Sequence, residues 1–270
     1  MNLIEAIILG IVQGATEFLP VSSSGHLVLI PSLFNMAQPT LSFIAIMHLG
    51  TLTAVLIYFY RDLLKIMQAV WDGVRQAAPL ATTESRLGWF IVAGSIPAAL
   101  AGLTLSDFFD SAFGSPMMVA GLLLVTAVLL IIGERLMTGN KALSQMTWKD
   151  AWVIGFLQMA ALLPGVSRSG STLMAGLKSG FNREDAARYS FLLGIPAIVG
   201  AGMLGILDVV QANQLAAQLP LFLAGFLIAA ITGYFCIHFL LRWLQSHNLY
   251  VFAGYCAAFG VFNLVLAWLR

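Results

Sequence analysis

Gln13 and Glu17 stand four residues apart, so on a helix they share one face a single turn from each other. Pro20 follows and ends such a helix, and Ser22, Ser23, Ser24, Gly25 and His26 come directly after it. A hydroxyl three residues ahead of an imidazole, at the start of a new helix, is an activated nucleophile in outline. Two assignments are open: Ser23 attacks while His26 takes its proton, or His26 attacks and the serines bind. Glu17 beside an anion pocket would repel phosphate unless protonated or bridged by a divalent cation.

The same segment is written again 145 residues later. Gly10, Gln13, Ala15, Val21, Ser22, Ser24 and Gly25 match Gly155, Gln158, Ala160, Val166, Ser167, Ser169 and Gly170. The copies part where chemistry is at stake: Glu17 faces Leu162, Ser23 faces Arg168, and His26 faces Ser171. Ser167, Ser169, Ser171 and Thr172 repeat the hydroxyl cradle, and Arg168 adds a planar cation suited to bidentate contact with phosphate oxygens. Free amides and hydroxyls at a helix start form an anion site. Two such starts facing each other, with one arginine, make a pocket for a multiply charged anion such as a diphosphate.

The elements that must position these residues lie in a bilayer. The chain is 60% hydrophobic and 9% charged, with a net charge of +1, too little polar surface for a soluble domain. No basic run points to nucleic acid, and no basic n-region precedes the first apolar stretch, so no cleavable signal is expected. Cys236 and Cys256 fall in apolar stretches and read as small buried hydrophobes.

Six stretches, about 40–60, 88–107, 117–137, 188–208, 219–242 and 249–269, reach the roughly 20 apolar residues a span requires. The stretches 2–30 and 152–178 are broken at their middles by Pro, Gly and serines, and read as re-entrant helical hairpins whose irregular backbone is buried in protein. Arg61, Lys65, Arg75, Arg86, Arg135, Lys141, Lys149, Lys178, Arg183, Arg188 and Arg242 cluster at one set of ends, while 108–116 and 209–218 contain no Lys or Arg. Placing the basic ends inside gives opposite hairpin entries, external termini and a single membrane domain of inverted repeats, about 1–137 and 150–270.

Other polar residues read as structural. Asn182 and Asp185 form a cap for the fourth span, Asp107 and Asp110 belong to an external turn, and 72–86 is a solvated amphipathic connector. For His48, an interhelical hydrogen bond is preferred to a catalytic role.

The run Gln13-x-x-x-Glu17 with Phe-Leu-Pro-Val-Ser-Ser-Ser-Gly-His26 resembles the first signature of the bacitracin-resistance type undecaprenyl-diphosphate phosphatases. That signature admits Glu or Gln at its leading position. Pro164-Gly-Val-Ser-Arg-Ser-Gly-Ser-Thr172 resembles the second signature, and Ala187-Arg-Tyr-Ser-Phe-Leu-Leu-Gly-Ile-Pro196 is similar to the helix after it. The likeness runs over essentially the whole chain.

The resemblance implies an enzyme of the bacterial plasma (inner) membrane that removes one phosphate from undecaprenyl diphosphate, with its active site open to the external, periplasmic side. It further implies a divalent cation, Mg2+ or Ca2+. The product would be the lipid carrier of cell-wall synthesis, and bacitracin resistance would follow because the drug sequesters the diphosphate. The expected catalytic set is Glu17, Ser23, His26 and Arg168, with Glu17 also the metal ligand. Gln13, Ser22, Ser24, Gly25, Ser167, Ser169, Gly170 and Thr172 would bind the substrate. The competing reading is a transporter or flippase of a polyprenyl phosphate lipid, which needs anion binders but no nucleophile. The state of oligomerisation stays open.

Overall fold

Long apolar stretches with Ser, Thr or Asn at their starts fold into helices, because inside a bilayer every backbone group must be satisfied within its own segment. The computed structural model describes residues 1–105, 108–109, 114–211 and 215–269. The described chain is all helical apart from one isolated bridge between Lys141 and Phe181. Six helices are long and apolar enough to cross a membrane: α3 (Leu41–Tyr58), α5 (Thr83–Thr104), α6 (Pro116–Leu136), α9 (Arg183–Gln211), α10 (Leu215–Leu244) and α11 (Tyr250–Leu269). They match the six expected spans to within a few residues. Asp107 and Asp110 lie outside the described residues.

The two interrupted stretches form helix–turn–helix hairpins. In the first, α1 (Leu3–Phe18) turns at 19–22 into α2 (Ser23–Leu33); in the second, α7 (Trp148–Ala160) turns at 161–167 into α8 (Arg168–Lys178). At 1.5 Å per residue none of these four helices exceeds about 24 Å, short of the roughly 30 Å hydrocarbon core. Both second helices open with the same cap. The Gly25 amide donates to Ser22 Oγ at 3.2 Å, and the Gly170 amide donates to Ser167 Oγ at 3.0 Å. That shared need explains why Ser-x-Ser-Gly appears in both copies.

The hairpins meet tip to tip. Ser169 Oγ donates to the Leu19 carbonyl at 3.2 Å, and a side chain on Gly25 would stand 3.3 Å from Gly165 Cα. The second tip is tied to α6, where Thr126 Oγ1 donates to the Gly165 carbonyl and accepts from the Ser167 amide, both at 2.9 Å. Gly165 has φ +100, and a Cβ there would stand 2.5 Å from the Val119 carbonyl oxygen, so only glycine makes this turn. Around the tips, α1 packs on α10, α7 on α5, α3 on α9 and α10, and α11 on α6.

Polar pairs hold the basic ends. Glu134, nearly fully buried, accepts from Arg183 Nε at 2.8 Å and from the Leu249 amide at 2.8 Å. Lys141 pairs with Asp150, and Asn182 Oδ1 accepts from the Asp185 amide at 2.9 Å, the expected cap of the fourth span. One element differs from expectation. The connector after the first span begins with a helix, α4 (Tyr60–Arg75), strongly amphipathic, with Leu64, Met67, Trp71 and Val74 exposed. Its apolar residues recur at helical rather than loop spacing, and short apolar runs hide this next to a full span.

Candidate active site

The centre of the molecule is one carboxylate. Glu17, on the last turn of α1, is 6% exposed, and Phe18 and Pro20 end the helix so that the acid points at the facing hairpin. Its Oε2 accepts from Ser23 Oγ at 2.6 Å and from Gln13 Nε2 at 3.1 Å. Its Oε1 accepts from Arg168 at 2.5 Å, across the junction between hairpins. Acid, amide and hydroxyl thus come from one copy of the repeat and the cation from the other. A charge pair at this depth is stable only because each partner is held by further bonds.

Arg168 is seated by α9. Its NH1 donates to the Ser190 carbonyl at 3.2 Å, and a Cβ on Gly194 would stand 2.6 Å from its Cζ, so glycine is what leaves room for the guanidinium. Thr172 donates to the Arg168 carbonyl at 2.8 Å and bonds the Ser190 hydroxyl at 2.6 Å, joining α8 to the same helix. Ser22 and Ser24 hydroxyls lie 3.3 Å apart, and Ser167 and Ser169 hydroxyls 3.2 Å apart, so each helix start carries a pair of touching serines.

The geometry corrects one expected pairing. Ser23 donates to Glu17, and His26 is not its partner: Nδ1 of the ring lies 2.8 Å from the Ser22 carbonyl and Nε2 lies 2.7 Å from the Tyr255 hydroxyl. The reason is the helix itself. His26 sits one turn above its N-cap and folds its ring back onto the Ser22 carbonyl, while Ser23 at the first position faces α1. The base that Ser23 touches is therefore Glu17. His48 departs in the other direction. Its Nδ1 donates to the Ile44 carbonyl at 2.9 Å, leaving Nε2 at 3.4 Å from Glu17 Oε2. The expected interhelical contact is made, and its partner is the central acid.

Among the described residues no cluster of three His, Cys, Asp or Glu side chains could enclose a metal. A cation shared with a substrate is a different matter, since Mg2+ commonly binds through one or two carboxylates plus phosphate oxygens. Gln13 Oε1 is buried beside Glu17 without a hydrogen-bond partner, and with the carboxylate it supplies oxygen ligands of the right kind. The residues fit a group of that sort.

Ser190, Gly194 and Tyr255 were missed as site residues. The first two fall inside the stretch 187–196 already set apart by its resemblance, which was the available signal. Tyr255 lies 229 residues from its partner His26, and no local pattern marks it.

Six apolar spans around two abutting hairpins, with a buried hydroxyl–carboxylate–guanidinium centre between them, define an all-helical integral membrane protein. The chain belongs to the bacitracin resistance protein BacA family, whose model matches residues 6–262. It is 47% identical to an undecaprenyl-diphosphatase of Thermomicrobium roseum over the full length of both chains. It is 44% identical to one of Myxococcus xanthus, over 98% of this chain and 89% of that one. A third, from Methanosphaera stadtmanae, is 40% identical over 99% of each chain.

Proposed function

We propose that the protein hydrolyses undecaprenyl diphosphate to undecaprenyl phosphate and inorganic phosphate, regenerating the lipid carrier of cell-wall synthesis and so opposing bacitracin. The family membership and the relatives' names support this reading. The observation that carries it is the 2.6 Å contact of Ser23 Oγ with Glu17, opposite Arg168. A carrier would need the cation and the helix starts; it would have no use for a hydroxyl held on a base.

The residues then divide the work. Arg168 exchanges its bond to Glu17 for the oxygens of the terminal phosphate, and the starts of α2 and α8 add amides and the Ser22, Ser24, Ser167 and Ser169 hydroxyls. Glu17, freed from the guanidinium, receives the Ser23 proton as Ser23 Oγ bonds to the terminal phosphorus. The bond from that phosphorus to the bridging oxygen breaks, and the electron pair leaves with undecaprenyl phosphate. Glu17 passes that proton to the departing undecaprenyl phosphate, then takes one from water as the water oxygen attacks the phosphoserine phosphorus, and returns it to Ser23 Oγ as the serine P–O bond breaks and inorganic phosphate leaves. Glu17 and Gln13 Oε1 would hold a divalent cation together with the diphosphate, whose charge that cation would neutralise.

The same reading sets the molecule in the membrane. The two hairpins enter without crossing, the halves about 1–137 and 150–270 are inverted repeats, and the basic ends face the cytoplasm, so the centre opens to the external side. Phosphate release from a polyprenyl diphosphate by purified protein, with and without chelator, tests the function. Steady release that Ser23→Ala abolishes is expected. Movement of the lipid across a vesicle without hydrolysis would overturn the proposal in favour of a carrier.

A further inference from the structure

His26 is 1% exposed, yet neither ring nitrogen is left for a substrate. The Ser22 carbonyl can only accept, so the nitrogen 2.8 Å from it, Nδ1, carries a proton. Nε2 is met by the Tyr255 hydroxyl at 2.7 Å, and the ring stacks on Phe259 with centroids 4.9 Å apart and on Tyr255 at 5.5 Å. Both aromatic residues come from α11, at the opposite end of the chain. Tyr255 is 44% exposed, so core packing does not account for its hydroxyl turning inward to one buried nitrogen.

What the ring grips is a strained residue. Ser22, the N-cap of α2, has φ 70, a left-handed setting that non-glycine residues hold only when their surroundings impose it. Its carbonyl accepts from both the His26 ring and the His26 amide, and the next residue is Ser23. A ring protonated only on Nε2 would set lone pair against lone pair at Ser22 and release the turn.

We infer that Tyr255 is a positioning residue: through its hydroxyl it holds His26 in the Nδ1–H form, and the ring clamps Ser22 so that Ser23 Oγ stays on Glu17. The inference rests on the phosphatase reading of this centre. It gives the last helix a part in a site otherwise built from the two hairpins, α3 and α9.

The test compares the full-length wild type with Tyr255→Phe, which keeps the ring stack and removes the hydroxyl, and with Tyr250→Phe as a control on the same helix. Each is placed in lipid nanodiscs with 15N-labelled histidine. The His26 signal is assigned by its loss in His26→Asn, Tm is recorded alongside, and phosphate release from a polyprenyl diphosphate gives kcat and KM. In the wild type His26 is expected to be protonated at Nδ1. Tyr255→Phe should lose that single form and about tenfold in kcat, the order of one buried hydrogen bond, with KM within twofold. Tyr250→Phe should match the wild type in both readouts. Wild-type kcat in folded Tyr255→Phe, or a wild-type His26 protonated at Nε2 alone, overturns the inference. A wild type that releases no phosphate overturns the phosphatase reading and the positioning role with it, while the spectrum still decides whether Tyr255 holds the tautomer.

Discussion

Arg168 is bound in two ways that a lysine cannot copy: one arm reaches Glu17 on the facing hairpin and the other reaches the Ser190 carbonyl. A planar fork serves both at once, and the same fork suits a terminal phosphate. Arg168→Ala should lower kcat/KM by about 10²- to 10³-fold, the range for removing a donor aimed at developing charge, and Arg168→Lys should recover less than about a tenth of that loss. Near-normal turnover of the lysine variant would show that only the charge matters. Glu17 carries the opposite expectation. Glu17→Gln keeps shape and burial but cannot receive the Ser23 proton, so phosphate release should vanish while expression and Tm stay near wild type. An active Glu17→Gln protein would return the base to another group. At this scale much was legible: Glu17, Ser23 and Arg168 stand at repeat positions where the copies differ, and the paired serines stand where they agree. The Ser23–His26 pairing was misread because spacing of three along a helix says nothing of which way each side chain turns, and here the two face different helices.

The turn and the helix around Arg168 depend on residues with no side chain at all. Gly194 of α9 leaves the space in which the guanidinium lies, and a methyl group there would stand 2.6 Å from Cζ, a separation that forces the arginine away from Ser190 and Glu17. Gly194→Ala should therefore lose activity by about tenfold or more, while its effect on Tm stays small because an alanine suits a helix interior. A fully active Gly194→Ala protein would mean that Arg168 works from another position. The pair Glu134–Arg183 is the contrasting case, since it touches nothing in the centre. Glu134→Ala removes the acceptor of both the guanidinium and the Leu249 amide. It should cost about 3 kcal/mol, within the range for breaking a buried pair, read as a lower Tm with kcat preserved below it. The spans were readable because length and apolar content alone define them. Helix α4 was not, since an amphipathic helix beside a span shares its basic residues with the loop signal.

At the scale of the whole molecule the argument turns on which side of the membrane each end of the bundle occupies. Arg135, Lys178 and Arg242 sit in the last turns of α6, α8 and α10, while Arg61 and Arg75 lie on α4 and Lys141 on the link between α6 and α7, all at the end where α3 and α10 finish and α5 and α9 begin. The first hairpin starts from the other end and the second from the basic end, and they meet where Glu17 and Arg168 pair. The proposed function puts the diphosphate in the outer leaflet and so the basic end on the cytoplasmic side, which is also what the asymmetry of Lys and Arg favours. The orientation is open to direct measurement with single cysteines placed on exposed positions at each end, after Cys236 and Cys256 are replaced. Ala37, in the exposed link between α2 and α3, should react with an impermeant thiol reagent added to intact cells, and Ala77, between α4 and α5, only after permeabilisation. Cysteines at Ala37 and Ala77 that exchange these behaviours would place the basic end outside and turn the centre towards the cytoplasm. Reaction of both from the same side would break the six-span count itself, because an odd number of crossings separates them here: the single span α3.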